Sequence, residues 1–287
     1  MSIKPVSIVI LALLALSACK KDDASTDAPA SPPAPSGLLG NATAEATAQA
    51  KAAEARASLP QPDAAKPLAA YTELESGNQI MFLYVAASKL PPDYTKLASA
   101  YSKEFRDTSD AFRQNDLLQA IKPQLEQKIA QASADPYGWM EVDDARLGAY
   151  DFQRKGFPVG EFEDGRYRYF NDAYDYKIGW ANYSQLAFAP VADEAIARQL
   201  EAMRTGYSNT PRLKIYFFAQ SADLDNERVK ALVTRVQIID KSGRVLAEYG
   251  PDGSVVVETQ DAVSSACDTG DAAACNAAQA AADAAAM

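Results

Sequence analysis

At Tyr137 the hydrophobic period of the chain changes from that of a helix to that of a strand, and this change does most to limit the fold. Upstream, Ile80, Leu83, Tyr84 and Ala87 recur at helical spacing after Asn78, the expected N-cap. Leu90-Pro91-Pro92 stops that helix, and Tyr94, Leu97, Tyr101 and Phe105 form the apolar stripe of a second. A third helical region, from Asp110 to Ala134, carries Leu118, Ile121, Leu125 and Ile129 on one face; Pro123 predicts a kink or a division into two helices. Downstream, RLKIYFFAQ, VKALVTRVQIID and RVLAEY read as strands, the last two joined through Ser242-Gly243, with GSVVVET as one more. A single helix is expected from Asp193 to Arg204, where the acids come early and arginine late, as the helix dipole prefers. The prediction is an α+β body over residues 68–260, with the helices of 78–134 packed on a mostly antiparallel sheet whose strands occupy about 137–258.

Residues 159–180, VGEFEDGRYRYFNDAYDYKIGW, predict a three-stranded meander. Asp164-Gly165 is a strong hairpin turn, and it places Phe162 opposite Tyr167 and Glu161 opposite Arg168. A second turn at Asn171-Asp172 places Tyr169 opposite Tyr174, Arg168 opposite Asp175 and Tyr167 opposite Tyr176. One face then carries Glu161, Glu163, Arg166, Arg168 and Asp175; the other carries Phe162, Tyr167, Tyr169, Tyr174, Tyr176, Ile178 and Trp180. Tyr167, Tyr169, Tyr174, Tyr176 and Trp180 are the candidate binding face, since such rings stack on the apolar faces of sugars while their polar tips reach hydroxyls. Packing of the same face against the helices is the competing reading, and exposure of the rings separates the two.

The chain has no histidine. That excludes Ser-His-Asp and Cys-His catalysis within the chain, histidine metal sites and histidine proton shuttling. No metal or cofactor is expected, with only Cys267 and Cys275 left as free soft ligands for zinc. The carboxylate clusters are Asp143-Asp144 and the set Asp223, Asp225 and Glu227. Paired acids can hydrolyse glycosides, and alternating acids can hold calcium, but SADLDNERV lacks the glycine and distal glutamate of an EF-hand loop. Turns between strands are the simpler reading. The net charge of −10 becomes −11 if residues 1–18, with Lys4 and no acid, are removed. Without a basic tract, a chain of that sign repels phosphate backbones, and nucleic acid is not an expected partner.

At the N-terminus, Lys4 precedes an apolar run from Val6 to Leu16, too short for the roughly 20 residues a bilayer crossing needs. Small residues and a cysteine follow, which fits a signal peptide over residues 1–18. Leu16-Ser17-Ala18-Cys19 resembles the lipobox of bacterial lipoproteins. The resemblance implies cleavage before Cys19, acyl chains on its sulfur and new N-terminus, and membrane anchoring through them. With Lys20 rather than aspartate after the cysteine, it implies the periplasmic face of the outer membrane. An ordinary signal peptide with an incidental cysteine, or an uncleaved apolar anchor, are the alternatives. Residues 19–67 are Pro-, Ser-, Asp- and Ala-rich and read as a disordered to weakly helical tether, with an end-to-end distance of about 40 Å as coil. Cys267 and Cys275, in the alanine-rich tail of 261–287, are a candidate disulfide that requires a break in any helix between them, which Gly270 permits.

Tyr71 to Tyr101, YTELESGNQIMFLYVAASKLPPDYTKLASAY, is similar to the opening of an uncharacterised domain of bacterial envelope lipoproteins, a family that brings no known activity. The functional expectation is a lipid-anchored periplasmic accessory protein, non-catalytic, engaging another envelope protein or peptidoglycan. The alternatives are a protective or inhibitory lipoprotein directed at a periplasmic toxin and, from a different class, a carboxylate-based glycan hydrolase.

Overall fold

A computed structural model describes residues 58–143, 145–206 and 210–253, and these form an α+β fold. Cys19, Cys267, Cys275, Asp144, the signal segment, the tether up to residue 57, the part of GSVVVET beyond Gly253 and the alanine-rich tail lie outside the described residues. No helix among the described residues is long and apolar enough to cross a membrane.

The helices of the first half are α1 (Gly77–Ser88), α2 (Tyr94–Tyr101), α3 (Lys103–Asp107) and α4 (Ala111–Ala134). The cap of α1 is Ser76 rather than Asn78. The Ser76 hydroxyl accepts from the Gln79 amide while the Gln79 side chain accepts from the Ser76 amide, so two otherwise orphaned donors are satisfied together. The stripe from Tyr94 to Phe105 is split between two helices because Ser102 turns extended and caps α3, accepting from Phe105 N–H at 3.2 Å. α4, in contrast, runs continuously through Pro123. Pro123 and Gln119, whose carbonyl loses its helical donor, both lie on the exposed side, where water can serve that carbonyl.

The strands are β1 (Thr72–Glu73), β2 (Tyr137–Val142), β3 (Gly156–Pro158), β4 (Tyr167–Arg168), β5 (Lys177–Trp180), β6 (Phe188–Pro190), β7 (Arg212–Asp223), β8 (Arg228–Ile239) and β9 (Val245–Tyr249). Between β6 and β7 stands α5 (Glu194–Thr205), where the sequence predicts a helix; Asp193, expected as its first residue, is instead its cap. The main sheet runs β1-β2-β7-β8-β5-β4, with β9 also on β8. Its β1–β2 and β5–β8 pairs are parallel and the others antiparallel, while β3 and β6 form a separate antiparallel pair.

Leu213, Ile215 and Phe217 alternate along β7 into the core that Ile80, Met81 and Leu83 of α1 enter from the other side. α1 therefore touches β7 and β8 on the sheet and α4 in the next layer. Burial of each such side chain stabilises the fold by about 1.5–3 kcal/mol. The outer edge of β8 is shared: β5 pairs with Arg228 to Ala231 and β9 with Val236 to Ile239. In the gap between them the Asn182 side chain acts as a short piece of strand. Its Nδ2 donates to Val233 O and its Oδ1 accepts from Val233 N–H, both at 2.9 Å.

Candidate functional site

The turn at Asp164-Gly165 forms where the sequence predicts it, with Arg166 N–H donating to Glu163 O at 3.2 Å and Gly165 at a φ of 74°. The strand expected before the turn does not form. Gly160–Phe162 is a 3-10 turn, and β4 pairs with β5 so that Tyr167 faces Gly179 and Arg168 faces Ile178, rather than Tyr176 and Asp175. The meander is thus corrected by a slip of three residues. An odd slip exchanges the two faces of a strand pair. Its cause is long-range: β5 is committed to its parallel pairing with β8, and Asn171–Ala173 forms a second 3-10 turn instead of a hairpin loop.

That second turn is fastened to the start of α1. The Asp172 carboxylate accepts from Gly77 N–H at 2.8 Å, from Asn78 N–H at 3.3 Å and from Asn78 Nδ2 at 3.1 Å. Gly77 is required here, because a Cβ at that position would lie 2.9 Å from Ala173 N.

The five predicted site residues consequently divide. Tyr176 and Trp180 are 3% and 5% exposed and belong to the core, where Tyr176 meets Tyr84 and Trp180 meets Phe162 and Phe217. Burial pushes the Tyr176 phenol well above its ordinary value, reinforced by the Glu227 charge. Tyr167, Tyr169 and Tyr174 are 46%, 52% and 64% exposed. The Tyr167 and Tyr169 rings stand 6.4 Å apart, with Lys177 Nζ 5.8 Å from the Tyr167 centroid. Tyr174 lies apart from that pair in kind: it lines a groove of about 470 Å³ with Lys96, Ser99, Arg106, Asp172 and Asp175.

The charged face of the predicted meander has a buried residue at its centre. Glu161 is 1% exposed. It receives Arg168 Nε at 2.9 Å, a second bond from Arg168 Nη2, Trp180 Nε1 at 3.2 Å and the Arg166 guanidinium at 3.6 Å. The buried carboxylate Glu248 is similarly engaged, by Gln237 Nε2 at 2.6 Å and Arg235 Nε at 3.5 Å. Of the predicted acid clusters, Asp143 is exposed and lies 3.7 Å from Arg212. Asp223, Asp225 and Glu227 surround the tight connection from β7 to β8. There the hydrogen bond from Arg228, at 2.8 Å, holds the Asp223 carboxyl below its ordinary value, and Glu227, at a φ of 50°, pairs with Lys96. Among the described residues no group of three or more Cys, Asp or Glu side chains is placed to hold a metal ion.

A second aromatic group escaped the reading of the sequence. Tyr137, Trp139, Tyr216 and Phe218 fall on one sheet face by the β2–β7 register, opposite to Leu213, Ile215 and Phe217. Tyr71 packs edge-on against Tyr137 and Tyr216 at 5.2 and 5.5 Å, and Lys214 Nζ lies 3.8 Å over the Trp139 ring. The alternation in YGWMEV and KIYFF is the signal that could have found it. This face also receives the start of the folded body: Tyr137 OH accepts from Asp63 N–H at 2.6 Å, Pro60 O from Gln220 Nε2 at 3.0 Å, and Lys66 pairs with Asp135 at 2.9 Å. Residues 60–66, assigned to the tether from composition, are thus fastened to the sheet.

Comparison of the chain with protein-family models, with curated proteins and with solved structures gives no match.

Proposed function

We propose that the protein is a non-catalytic accessory or binding lipoprotein of the bacterial envelope, lipid-anchored through Cys19 at the periplasmic face of the outer membrane, with residues 20–57 as tether and the α+β body engaging a protein partner or the wall. The observation that carries the non-catalytic reading is the state of the buried acids. The buried Glu161 and Glu248, and with them the half-buried Asp223, are each held by arginine, the arrangement of structural charges rather than of a proton donor facing a cleft. Display of Tyr167, Tyr169 and Tyr174 beside charged side chains supports a binding role, since exposed aromatic rings are the usual anchors of recognition. Leu16-Ser17-Ala18-Cys19 supports the anchor.

Expression of the full chain with an alkyne fatty acid tests the reading. Wild type is expected to be labelled and to sediment with outer membranes, and Cys19→Ser to be unlabelled. A labelled Cys19→Ser chain, or an unlabelled wild type, refutes the anchor. Crosslinking of the acylated chain in cells then distinguishes a stoichiometric protein partner from wall material.

A further inference from the structure

We propose that the groove between α2, α3 and the turn after Asn171 is a saccharide subsite, with Tyr174 as the stacking platform. The inference rests on the envelope-binding reading for its choice of probe and names the ligand class for one of the exposed tyrosines. The groove's volume of about 470 Å³ lies within the range of small-molecule sites.

Its parts are held in place by the same contacts that cap the neighbouring helices. Asp172 makes three hydrogen bonds to the first turn of α1, and Gly77 permits the close approach of Ala173, so the backbone carrying Tyr174 is fixed before a ligand arrives. On the facing wall Arg106 Nη1 donates to Ser99 O at 2.7 Å and to Ala100 O at 3.4 Å, which sets the guanidinium plane. Preorganisation of this kind lowers the ordering cost of binding.

The charge balance selects the ligand. Lys96 is already paired with Glu227, and Asp172 is committed to α1. The lining carries two cations, Lys96 and Arg106, and two exposed carboxylates, Asp172 and Asp175, whose formal charges balance, beside Ser99 and a ring that is 64% exposed. An anion would meet Asp175 and a cation would meet Arg106. A neutral ligand rich in hydroxyls, with an apolar face to lay on Tyr174, satisfies donors and acceptors together. Those are the properties of a sugar ring.

The test uses the mature full chain in detergent micelles, titrated with β-1,4-linked N-acetylglucosamine trimer and, separately, with maltotriose, and followed by tyrosine fluorescence and by calorimetry. At least one trimer is expected to bind saturably. Tyr174→Ala is expected to weaken it at least tenfold, Arg106→Ala about fivefold, and Phe152→Ala, an exposed ring elsewhere, not at all. Circular dichroism confirms that the variants are folded. Absence of saturable binding by both trimers, or equal binding by wild type and a folded Tyr174→Ala chain, overturns the proposal. Lipid labelling of Cys19 is read independently: a labelled chain that binds neither trimer loses the saccharide site alone, and an unlabelled chain that binds one loses the anchor alone.

Discussion

Glu161→Leu is the substitution from which the energetics of this fold can best be read. The carboxylate it removes is 1% exposed and serves Arg168, Arg166 and the Trp180 indole. Loss of the charge-assisted bonds costs about 1.5–3 kcal/mol, and a Trp180 N–H left without an acceptor adds about 1–3 kcal/mol. Part of this is recovered, because the Arg166 and Arg168 side chains are 22% and 23% exposed and can turn toward water. A leucine in place of the carboxylate also gains apolar burial, so the net cost is expected near 3–4 kcal/mol, the lower part of the range for breaking a buried pair. At about 2–4 °C per kcal/mol for a body of this size, the melting temperature falls by roughly 6–16 °C. Glu161→Gln keeps an acceptor for Trp180 and is expected to lose about half as much. The double variant Glu161→Leu, Arg168→Met, which removes the carboxylate together with its closest cation, should be more stable than Glu161→Leu alone. Thermal and urea unfolding of the three chains checks the series. A Glu161→Leu chain as stable as wild type, or more stable, would refute the structural role and point to a carboxylate retained for chemistry at the expense of stability.

Asn182→Leu leaves the N–H and C=O of Val233 without partners in the gap on β8, and is expected to cost about 2–4 kcal/mol in urea unfolding; Asn182→Asp, which keeps the acceptor and loses the donor, should cost less. Asp223 and Asp240 are held below the ordinary value of 3.8, the first chiefly by Arg228 and the second chiefly by the Ser242 hydroxyl. Their contribution is complete above that value and is lost as pH falls through the depressed folded values, so stability should decline below about pH 4 and Asp223→Asn should flatten that acid limb. Burial raises the phenols of Tyr249, Tyr176 and Tyr71 above 10.0. Stability from these groups is complete below pH 10 and lost as pH rises beyond it, so phenolate absorbance should show late-titrating tyrosines that ionise together with unfolding. Tyr249→Phe should remove one of them while costing about 1 kcal/mol at neutral pH through the lost bond to Leu186 O.

What the sequence disclosed follows the range of the interactions involved. The division at Tyr137, α5, and the succession β7, β8, β9 are carried by periodicity and by the order of charges along 193–204, which neighbouring residues determine. The turn at Asp164-Gly165 was legible for the same reason. The partner of β4 was not. Turn chemistry at Asn171-Asp172 favoured a hairpin, and that local preference was overridden by the parallel alignment of Lys177 with Arg228 and by Asp172 bonding to α1, almost a hundred residues upstream in the chain. The cap of α1 at Ser76, rather than Asn78, was misread because the reciprocal bond from Gln79 needs both side chains considered together.

The slip in register also explains how a single run of sequence yields both a core and a display surface. Had the predicted meander formed, all five rings would have shared one face, and burying that face would have left no aromatic ring for recognition. Because β5 follows β8 instead, Ile178 and Trp180 turn inward with Phe162, and the arginines that alternate with the tyrosines fold over Glu161. Tyr167 of β4, a strand at the edge of the sheet, and Tyr169 just beyond it are left exposed. Glu161 is therefore more than a buried ion pair. By drawing Arg168 inward it fixes which side of β4 faces the core, and a one-residue slip would place Tyr167 or Tyr169 where the Arg168 side chain now meets the carboxylate. The predicted loss of stability in Glu161→Leu and the outward display of the tyrosines are then two consequences of one buried charge.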